Sequence, residues 1–341
     1  MNSSQRIQSV DIGRGFAIIC MIAAHISIIF WVINDYGRIF AAPFFLLISG
    51  ISYEFFLESR FQKKVLKISI FSESFSRSVI IYFLPLIPYF VVGIWGLTNI
   101  QVIHWGVFQV IALGYILGFF VHGDWKLKMY AIILVFLSTF LAQFFYPQIL
   151  NFLLVGFTPL LPWLAYFFMG QLIFEIYQRR YISIIFLILI SIIAFIFSFG
   201  FFYHIHMPFE SDLRTEIPFF LLLSSLFFLI QAIFIILVDR LHVCDLLFNP
   251  LERIGKIAFT AYYLKYPLVF CAAFIMIKFN LPPIFLIPSI IIIMGILTII
   301  EKFWEKYDYK FGFEWIVRRG STLLYKKIIS IFNMPKNSNE R

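Results

Sequence analysis

Long runs of apolar residues, each close to the length of a membrane-spanning helix, follow one another along most of this chain. The apolar positions are continuous and do not alternate with polar ones, which favours helices over strands. A helix needs about 20 predominantly apolar residues to cross the hydrocarbon core of a bilayer. The pattern therefore predicts an all-α, polytopic membrane protein with about ten transmembrane helices, over residues 13–34, 38–57, 78–96, 105–121, 129–146, 159–177, 182–203, 217–238, 256–277 and 283–300.

Positive charges lie mainly in alternate polar stretches between these segments. Short loops rich in Lys and Arg stay in the cytoplasm. With both termini cytoplasmic, only Arg38, Arg214 and Lys278 fall on the outer side. The inner side then holds Arg60, Lys63, Lys64, Lys67, Arg77, Lys126, Lys128, Arg179, Arg180, Arg240, Arg253, Lys256 and the basic residues after residue 300. We therefore predict an N-in, C-in, multi-pass protein of the plasma membrane.

The composition agrees with this class. Hydrophobic residues make up 62% of the chain and charged residues 13%, whereas ordinary soluble proteins have about 45–50% and about 25%. The net charge of +9 is spread over many loops, so it does not indicate binding to nucleic acid. Membrane lipids are the expected partners, and a homodimer is left open. The three cysteines are far apart and no helix has ligand spacing, so we expect no metal site.

Residues 301–341 differ from the rest of the chain, because basic and apolar side chains are interleaved there. Arg318, Arg319, Lys326 and Lys327 alternate with residues such as Leu323. An amphipathic basic segment of this kind suits the anionic cytoplasmic face of a membrane. We predict a transmembrane domain over residues 1–300, followed by a cytoplasmic amphipathic basic tail over residues 301–341.

The first apolar segment contains the strongest candidate for chemistry, in the stretch DIGRGFAIICMIAAH from Asp11 to His25. At about 100° per residue, Arg14 and His25 lie within roughly 20° of one helix face, and Asp11 lies about 40° from that line. His25 would be about 16 Å along the axis from Arg14, near the middle of the bilayer. An ionisable side chain at that depth is costly and indicates a functional site. The alternative is a structural histidine that is hydrogen-bonded to a neighbouring helix.

Further polar side chains fall within or next to the predicted spans. Lys265, in the ninth span, would pair with an acid, line a wet cavity or extend to the interface. Glu54 lies near the cytoplasmic end of the second span, where we expect it to face Arg60 and Lys63 at short range or simply to reach the interface. Gln109 suits a hydrogen bond between helices, with contact to substrate as the alternative.

Two groups of residues suit ligands on opposite sides of the membrane. His104, His204 and His206 fall on the predicted outer side, where they would line a polar substrate site or belong to solvated loops. The cytoplasmic stretch RFQKKVLK contains Arg60, Lys63, Lys64 and Lys67. These residues could bind the phosphates of an anionic donor such as a coenzyme A thioester. The alternative is that they only set the topology and contact lipid headgroups.

The opening RIQSVDIGRGFAIICMIAAH resembles the start of the transmembrane acyltransferases, with Arg6, Asp11, Arg14, Gly15 and His25 at the matching positions. Five more segments resemble the family in the same order: FAAPFFLLISGISYEFFLESR with Gly50, Ser52 and Arg60; HWGVFQVIALGYIL with Phe108, Gln109, Ala112 and Tyr115; LLPWLAYFFMGQLIFE with Pro162, Trp163, Tyr166 and Gly170; NPLERIGKIAFTAYYLKYPL with Gly255, Lys256, Thr260 and Tyr263; and FGFEWIVRRGS with Gly312, Glu314, Trp315 and Arg318. The chain is similar to the acyltransferase-3 proteins and, more closely, to the heparan-alpha-glucosaminide N-acetyltransferase-like and YeiB-like branches.

This resemblance implies an activity. Such enzymes take an acyl group from cytoplasmic acyl-CoA and deliver it to an acceptor, often a sugar, within or across the membrane. We therefore expect acetyl-CoA or another acyl-CoA as co-substrate and a carbohydrate-type acceptor. His25 is expected to be the general base or a transient acyl carrier. Arg14 is expected to hold the donor, with Asp11 orienting Arg14.

The chain also departs from the family pattern. Lys265 stands where a glutamine is usual, and Phe313 stands in place of a proline. The large soluble domain of the eukaryotic N-acetyltransferase is absent, so heparan sulfate is not implied as the acceptor. The alternative function is a transporter or permease for a small anion or a lipid-linked precursor. Inverted repeats are typical of transporters, and none is visible in the sequence.

Overall fold

The computed structural model describes residues 7–27, 34–85, 106–145, 160–178, 181–204, 217–242 and 245–331. The regular elements in these ranges are all helices. They are α1 Gln8–Ser27, α2 Asn34–Gln62, α3 Lys67–Phe83, α4 Val107–Phe120, α5 Trp125–Phe145, α6 Leu160–Gln178, α7 Tyr181–His204, α8 Ile217–Phe234, a π-helical turn Ile235–Arg240, α9 Asp245–Lys256, α10 Ala258–Lys278, a 3-10 turn Pro283–Phe285, α11 Leu286–Glu305 and α12 Phe313–Ile331.

Six stretches of helix within the described residues are long and apolar enough to cross a membrane. They are Gln8–Ile26, Phe40–Gln62, Leu160–Gln178, Leu221–Arg240, Ala258–Lys278 and Pro283–Glu305. Each overlaps one of the predicted spans, so the prediction of an all-α membrane protein is confirmed. The count of ten spans and the N-in, C-in orientation stay predictions.

The third helix begins earlier than its hydropathy indicates. The predicted span was 78–96, whereas α3 covers Lys67–Phe83 and residues 86–105 lie outside the described ranges. The buried residues of α3 include five serines, at positions 69, 72, 74, 76 and 78. Ser76 and Ser78 donate hydrogen bonds to the carbonyls of Ser72 and Ala112, at 2.7 Å each. A serine-rich buried face lowers the mean hydropathy, so the helix was read as a cytoplasmic loop.

The first helix is also displaced from its predicted span of 13–34. It begins at Gln8, its described part ends at Ser27, and the span found in it is Gln8–Ile26. Arg14 is therefore nearer than His25 to the middle of the span Gln8–Ile26. His25 belongs to the last described turn of α1. The mid-bilayer depth expected of His25 stays a prediction.

Glycines allow the central helices to cross closely. In α2 and α6, a Cβ on Gly50 would overlap the backbone carbonyl of Phe167, and a Cβ on Gly170 would overlap that of Leu47. The two helices therefore touch through their backbones at this crossing. The N-terminal half of α1 crosses α9 in the same way, because Gly15 faces the carbonyl of Leu251. These crossings fix α2 against α6 and α1 against α9.

The C-terminal helix α12 packs against the bundle through one face. Its buried residues are Val317, Ser321, Tyr325 and Ile329, which recur every four positions and so form one stripe. This face packs against α3. The described part of the predicted tail therefore contains the end of α11 and a packed helix, α12, whose outer face carries Arg318, Arg319, Lys326 and Lys327.

Candidate active site

Arg14 and Asp11 form the polar wall of a pocket between α1 and α2. Nη1 of Arg14 donates to Oδ1 of Asp11 at 2.5 Å, and Nη2 donates to Oγ of Ser52 at 2.6 Å. The pocket has a volume of about 270 Å³, and its other lining residues are Ile7, Val10 and Phe55. Two of the five N–H groups of the guanidinium are thus used to fix its plane. The arrangement presents a partly exposed cation against apolar walls.

A second pair of guanidiniums lies on the α2–α3 side. Nη2 of Arg60 and Nη2 of Arg77 donate to the same oxygen of Glu73, at 2.8 and 3.0 Å. Both groups also lie over the ring of Phe56, at 5.5 and 4.0 Å from its centroid. Two cations share one carboxylate, so one positive charge is left over at this position.

Arg77 is a candidate that the sequence interpretation missed, because residues 67–77 were read as loop. Glu73 and Arg77 are four apart on α3, which is the spacing of an ion pair on a helix. Tyr115 of α4 lies within electrostatic reach of both Arg77 and Arg14. The ring of Tyr115 stacks on Tyr53 at 4.3 Å between centroids. Arg14 and Arg77 therefore both lie in the neighbourhood of Tyr115.

His25 is oriented by its own helix. Its Nδ1 lies 2.7 Å from the carbonyl oxygen of Met21. Because a carbonyl can only accept, the hydrogen is on Nδ1, and in the neutral ring the lone pair is on Nε2. The ring meets Tyr266 of α10 edge to face, with 5.5 Å between centroids. A half-buried imidazole with its basic nitrogen on Nε2 is suited to general-base chemistry.

Lys265 lies next to the same residues. Its Nζ is 3.6 Å from Sδ of Met21 and lies over the rings of Tyr262 and Tyr266, at 4.0 and 4.9 Å from their centroids. Lys265 is only 1% exposed. The structure thus brings Lys265 and His25 together through Met21 and Tyr266. Arg14, eleven positions before His25, lies about 16 Å away along α1.

A buried ionic cluster joins the ends of α2, α5 and α6. Lys128 is fully buried and donates to Glu54 at 2.7 Å and also to Glu175. Glu54 accepts two more hydrogen bonds, from Nδ1 of His122 at 2.8 Å and from Nε2 of Gln171 at 2.6 Å. Glu54 therefore pairs with Lys128, whereas Arg60 pairs with Glu73. The expected approach of Glu54 to Arg60 and Lys63 stays a prediction. Lys128, Glu54, Glu175 and Gln171 bind one another across three helices, which indicates a structural role.

The remaining predicted site residues separate into three groups. Lys63, Lys64 and Lys67 are exposed and are not among the lining residues of the Arg14 pocket. Gln109 accepts from the backbone N–H of Gly106 and donates to the carbonyl of Tyr82, which makes it a helix cap and a link between helices. The third group, His104, His206 and the side chain of His204, lies outside the described residues.

No metal centre is visible in the part of the chain that the structure describes. There, no three His, Cys, Asp or Glu side chains are grouped closely enough to hold a metal ion.

Comparison with known families gives one match. A family model of the acyltransferase-3 type, described as an acyltransferase domain, matches residues 7–301. The matched region contains the Arg14 pocket, His25 and Lys265. No curated protein matches the sequence.

Proposed function

The chain belongs to the acyltransferase-3 family, and from that premise we propose that it is an integral membrane acyltransferase that uses cytoplasmic acyl-CoA. The acyl group, which we propose is acetyl, passes to a carbohydrate-type acceptor within or across the membrane. The observation that carries this proposal is the pocket in which the Arg14 guanidinium lies between Asp11 and Ser52, eleven residues before a half-buried histidine on the same helix.

The donor end of the site is the Arg14 pocket. A guanidinium held by two partners is a rigid, permanently charged donor of hydrogen bonds to phosphate or carbonyl oxygens. The apolar side chains of Ile7, Val10 and Phe55 suit the uncharged part of a thioester donor. The positive charge left over at Arg60 and Arg77 supports the same function, because coenzyme A carries several phosphate charges. Lys63, Lys64 and Lys67 would add long-range attraction from the surface.

The transfer step is assigned to His25. As the acceptor oxygen or nitrogen attacks the thioester carbonyl, its proton passes to Nε2 of His25. The new bond to the acyl carbon forms, the carbon–sulfur bond breaks, and the coenzyme A thiolate takes up the proton from Nε2, which restores the neutral imidazole. The hydrogen bond from Nδ1 to Met21 supports this role, because it orients the ring and fixes the tautomer. If His25 is instead acylated first, the same nitrogen is the nucleophile.

The test is acyl transfer by membranes that contain the full-length protein. Acetyl-CoA with a radiolabelled acetyl group is the donor, and the measurement is the label found in material other than acetyl-CoA and free acetate. His25→Asn should lower the rate by about a hundredfold or more, because general-base catalysis contributes roughly 10²–10⁴-fold. The matched control is His242→Asn. His242 is exposed and has a positive φ of 50°, a conformation that asparagine tolerates, so this variant should keep the wild-type rate.

Two results would contradict the proposal in different ways. A His25→Asn protein that transfers label at the wild-type rate would remove His25 from the mechanism. Wild-type membranes that transfer no label from acetyl-CoA or from longer acyl-CoA donors would remove the use of acyl-CoA.

A further inference from the structure

Lys265 differs from the other charged side chains inside the helix bundle. Lys128 has the carboxylate of Glu54 at 2.7 Å, and Arg14 has that of Asp11 at 2.5 Å. Among the described residues, no carboxylate forms an ion pair with Lys265. Its neighbours are two tyrosine rings and a thioether. The ammonium of Lys265 is therefore surrounded by partners that carry no formal charge.

Burying an ammonium without a counter-charge is costly. The faces of two aromatic rings recover part of that cost, because each ring presents its negative quadrupole to the cation. A methionine sulfur is only a weak acceptor. The rings and the sulfur thus stabilise the ammonium while leaving its charge uncancelled. No described carboxylate therefore competes with an anion that reaches this group.

We propose that Lys265 binds a negatively charged group of the molecule that enters beside His25. That this molecule is the acyl acceptor rests on the proposed function, whereas the binding of an anion at Lys265 does not. The acceptor is then an acidic one, with a carboxylate or a phosphate as its anchor. Lys265 acts as a specificity-determining residue that holds the acceptor while His25 removes its proton.

The placement of the side chains suits this role. His25 and Lys265 contact the same ring, that of Tyr266, at 5.5 and 4.9 Å. Tyr266 is 42% exposed, so the ring that both residues contact lies at the surface of the helix bundle. A single ammonium on a flexible stem is a point charge without the fork geometry of arginine. It can therefore donate to a carboxylate oxygen or to a phosphate oxygen.

The experiment measures binding without any acyl donor. Purified full-length protein is titrated with glucuronate, glucose 6-phosphate and glucose at constant ionic strength, and affinities are taken from the rise in the midpoint of thermal unfolding. The two anions differ from glucose only at the sixth carbon. One or both should bind about tenfold or more tightly than glucose, as expected for a hydrogen bond to a charged group. The anion that binds more tightly shows whether Lys265 prefers a carboxylate or a phosphate.

Variants on one helix separate the role of Lys265 from general charge effects. Lys265→Met keeps the length of the side chain and should remove the preference for the anion, while Lys265→Arg should keep it in part. Lys265→Gln, with the residue that is usual in the family, gives a second neutral variant should the first fail to fold. The control is Lys278→Met, which removes an exposed lysine of α10 that also lies near aromatic rings, and it should leave the preference unchanged.

Two outcomes overturn the inference: wild-type protein that binds neither anion more tightly than glucose, or a neutral variant that keeps the wild-type preference. Neither outcome depends on acyl transfer. An anion preference that disappears in Lys265→Met, in protein whose membranes transfer no acyl group, would support the anion site and contradict the proposed function.

Discussion

At the scale of single residues, Arg14 both connects two helices and provides the positive charge of the candidate site. It is held at both ends of its fork, by Asp11 on its own helix and by Ser52 on α2. Spacing along the helix predicts the first contact, because residues three apart share a face. The second contact depends on the crossing of α1 and α2, so Ser52 had no assigned role before the structure was known.

Arg14→Lys tests whether donor binding needs the two-nitrogen geometry of the guanidinium or only its positive charge. Lysine keeps the positive charge but has one nitrogen, so it cannot bridge Asp11 and Ser52 in the same geometry. We expect the KM for acyl-CoA to rise about tenfold, which corresponds to the loss of roughly one charge-assisted hydrogen bond, with a smaller effect on kcat. The measurement is initial-rate kinetics in membranes. Arg319→Lys, at an exposed position of α12, should keep the wild-type KM; an unchanged KM in Arg14→Lys would contradict the assigned role.

At the scale of helices, close backbone contact is the main device that fixes the site. Gly50 and Gly170 face each other's helices, so α2 and α6 approach until backbone carbonyls meet the space where a Cβ would be. Small residues at helix crossings allow such close approach in membranes. The same α2 carries Ser52 and Glu54 just beyond the crossing. A change in the distance between α2 and α6 is therefore transmitted to both the pocket and the ionic cluster.

Gly50→Ala should force α2 and α6 apart, because the added Cβ would overlap the carbonyl of Phe167. Overpacking of this kind costs about 1–3 kcal/mol, so the midpoint of thermal unfolding should fall. Gly295→Ala is the matched control, since nothing lies within 4 Å of its Cβ position. There the better helix propensity of alanine should be neutral or stabilising by up to about 1 kcal/mol. Equal midpoints for the two variants would show that the crossing tolerates a side chain.

At the scale of the whole molecule, α12 is tied back to the bundle by Glu314. Its carboxylate accepts from the backbone N–H of Thr260 at 3.1 Å and from the hydroxyl of Thr260 at 2.5 Å. Thr260 lies in the first turn of α10, so Glu314 caps that helix. In return, Oγ1 of Thr260 accepts from the backbone N–H of Phe313 at 2.9 Å. Burial raises the pKa of Glu314, although the hydrogen bonds from Thr260 oppose that rise.

Because the pKa of Glu314 is higher in the folded protein than its ordinary value of 4.5, folding favours the protonated form. The contribution of this group to stability is complete below the ordinary pKa and is lost as the pH rises through the raised one. Glu314→Gln removes the titration and keeps an acceptor oxygen for Thr260. The difference in unfolding midpoint, wild type minus Glu314→Gln, should therefore increase as the pH falls from 8 to about 4.5.

The matched control for this pH series is Asp308→Asn. Its carboxylate lies in the turn before α12, and its side chain is 86% exposed. The difference between wild type and Asp308→Asn should change little over the same range. If the unfolding midpoints of wild type and Glu314→Gln differed by the same amount at every pH, the raised pKa of Glu314 would be contradicted.

The sequence alone determined the class of this protein and the family to which it belongs. Continuous apolar runs require helices in a membrane, because in lipid every backbone polar group must be satisfied internally. The order of short motifs from Arg6 to Arg318 indicated the acyltransferases, and the family match over residues 7–301 agrees. The shared face of Arg14 and His25 also follows from sequence, because it depends only on the turn of one helix.

Tertiary structure decided which polar groups meet. Glu54 and Lys128 are 74 positions apart, and Lys265 and Met21 are 244 apart; local spacing contains no information about such pairs. The serine-rich α3 and the role of Arg77 were missed for a related reason, since hydropathy measures exposure to lipid and not burial against other helices. The same limit applies to Lys265. Its position in an apolar segment showed that its charge is costly to bury, but only the packing of α10 on α1 brought it to the neighbourhood of His25. No carboxylate among the described residues forms an ion pair with it there.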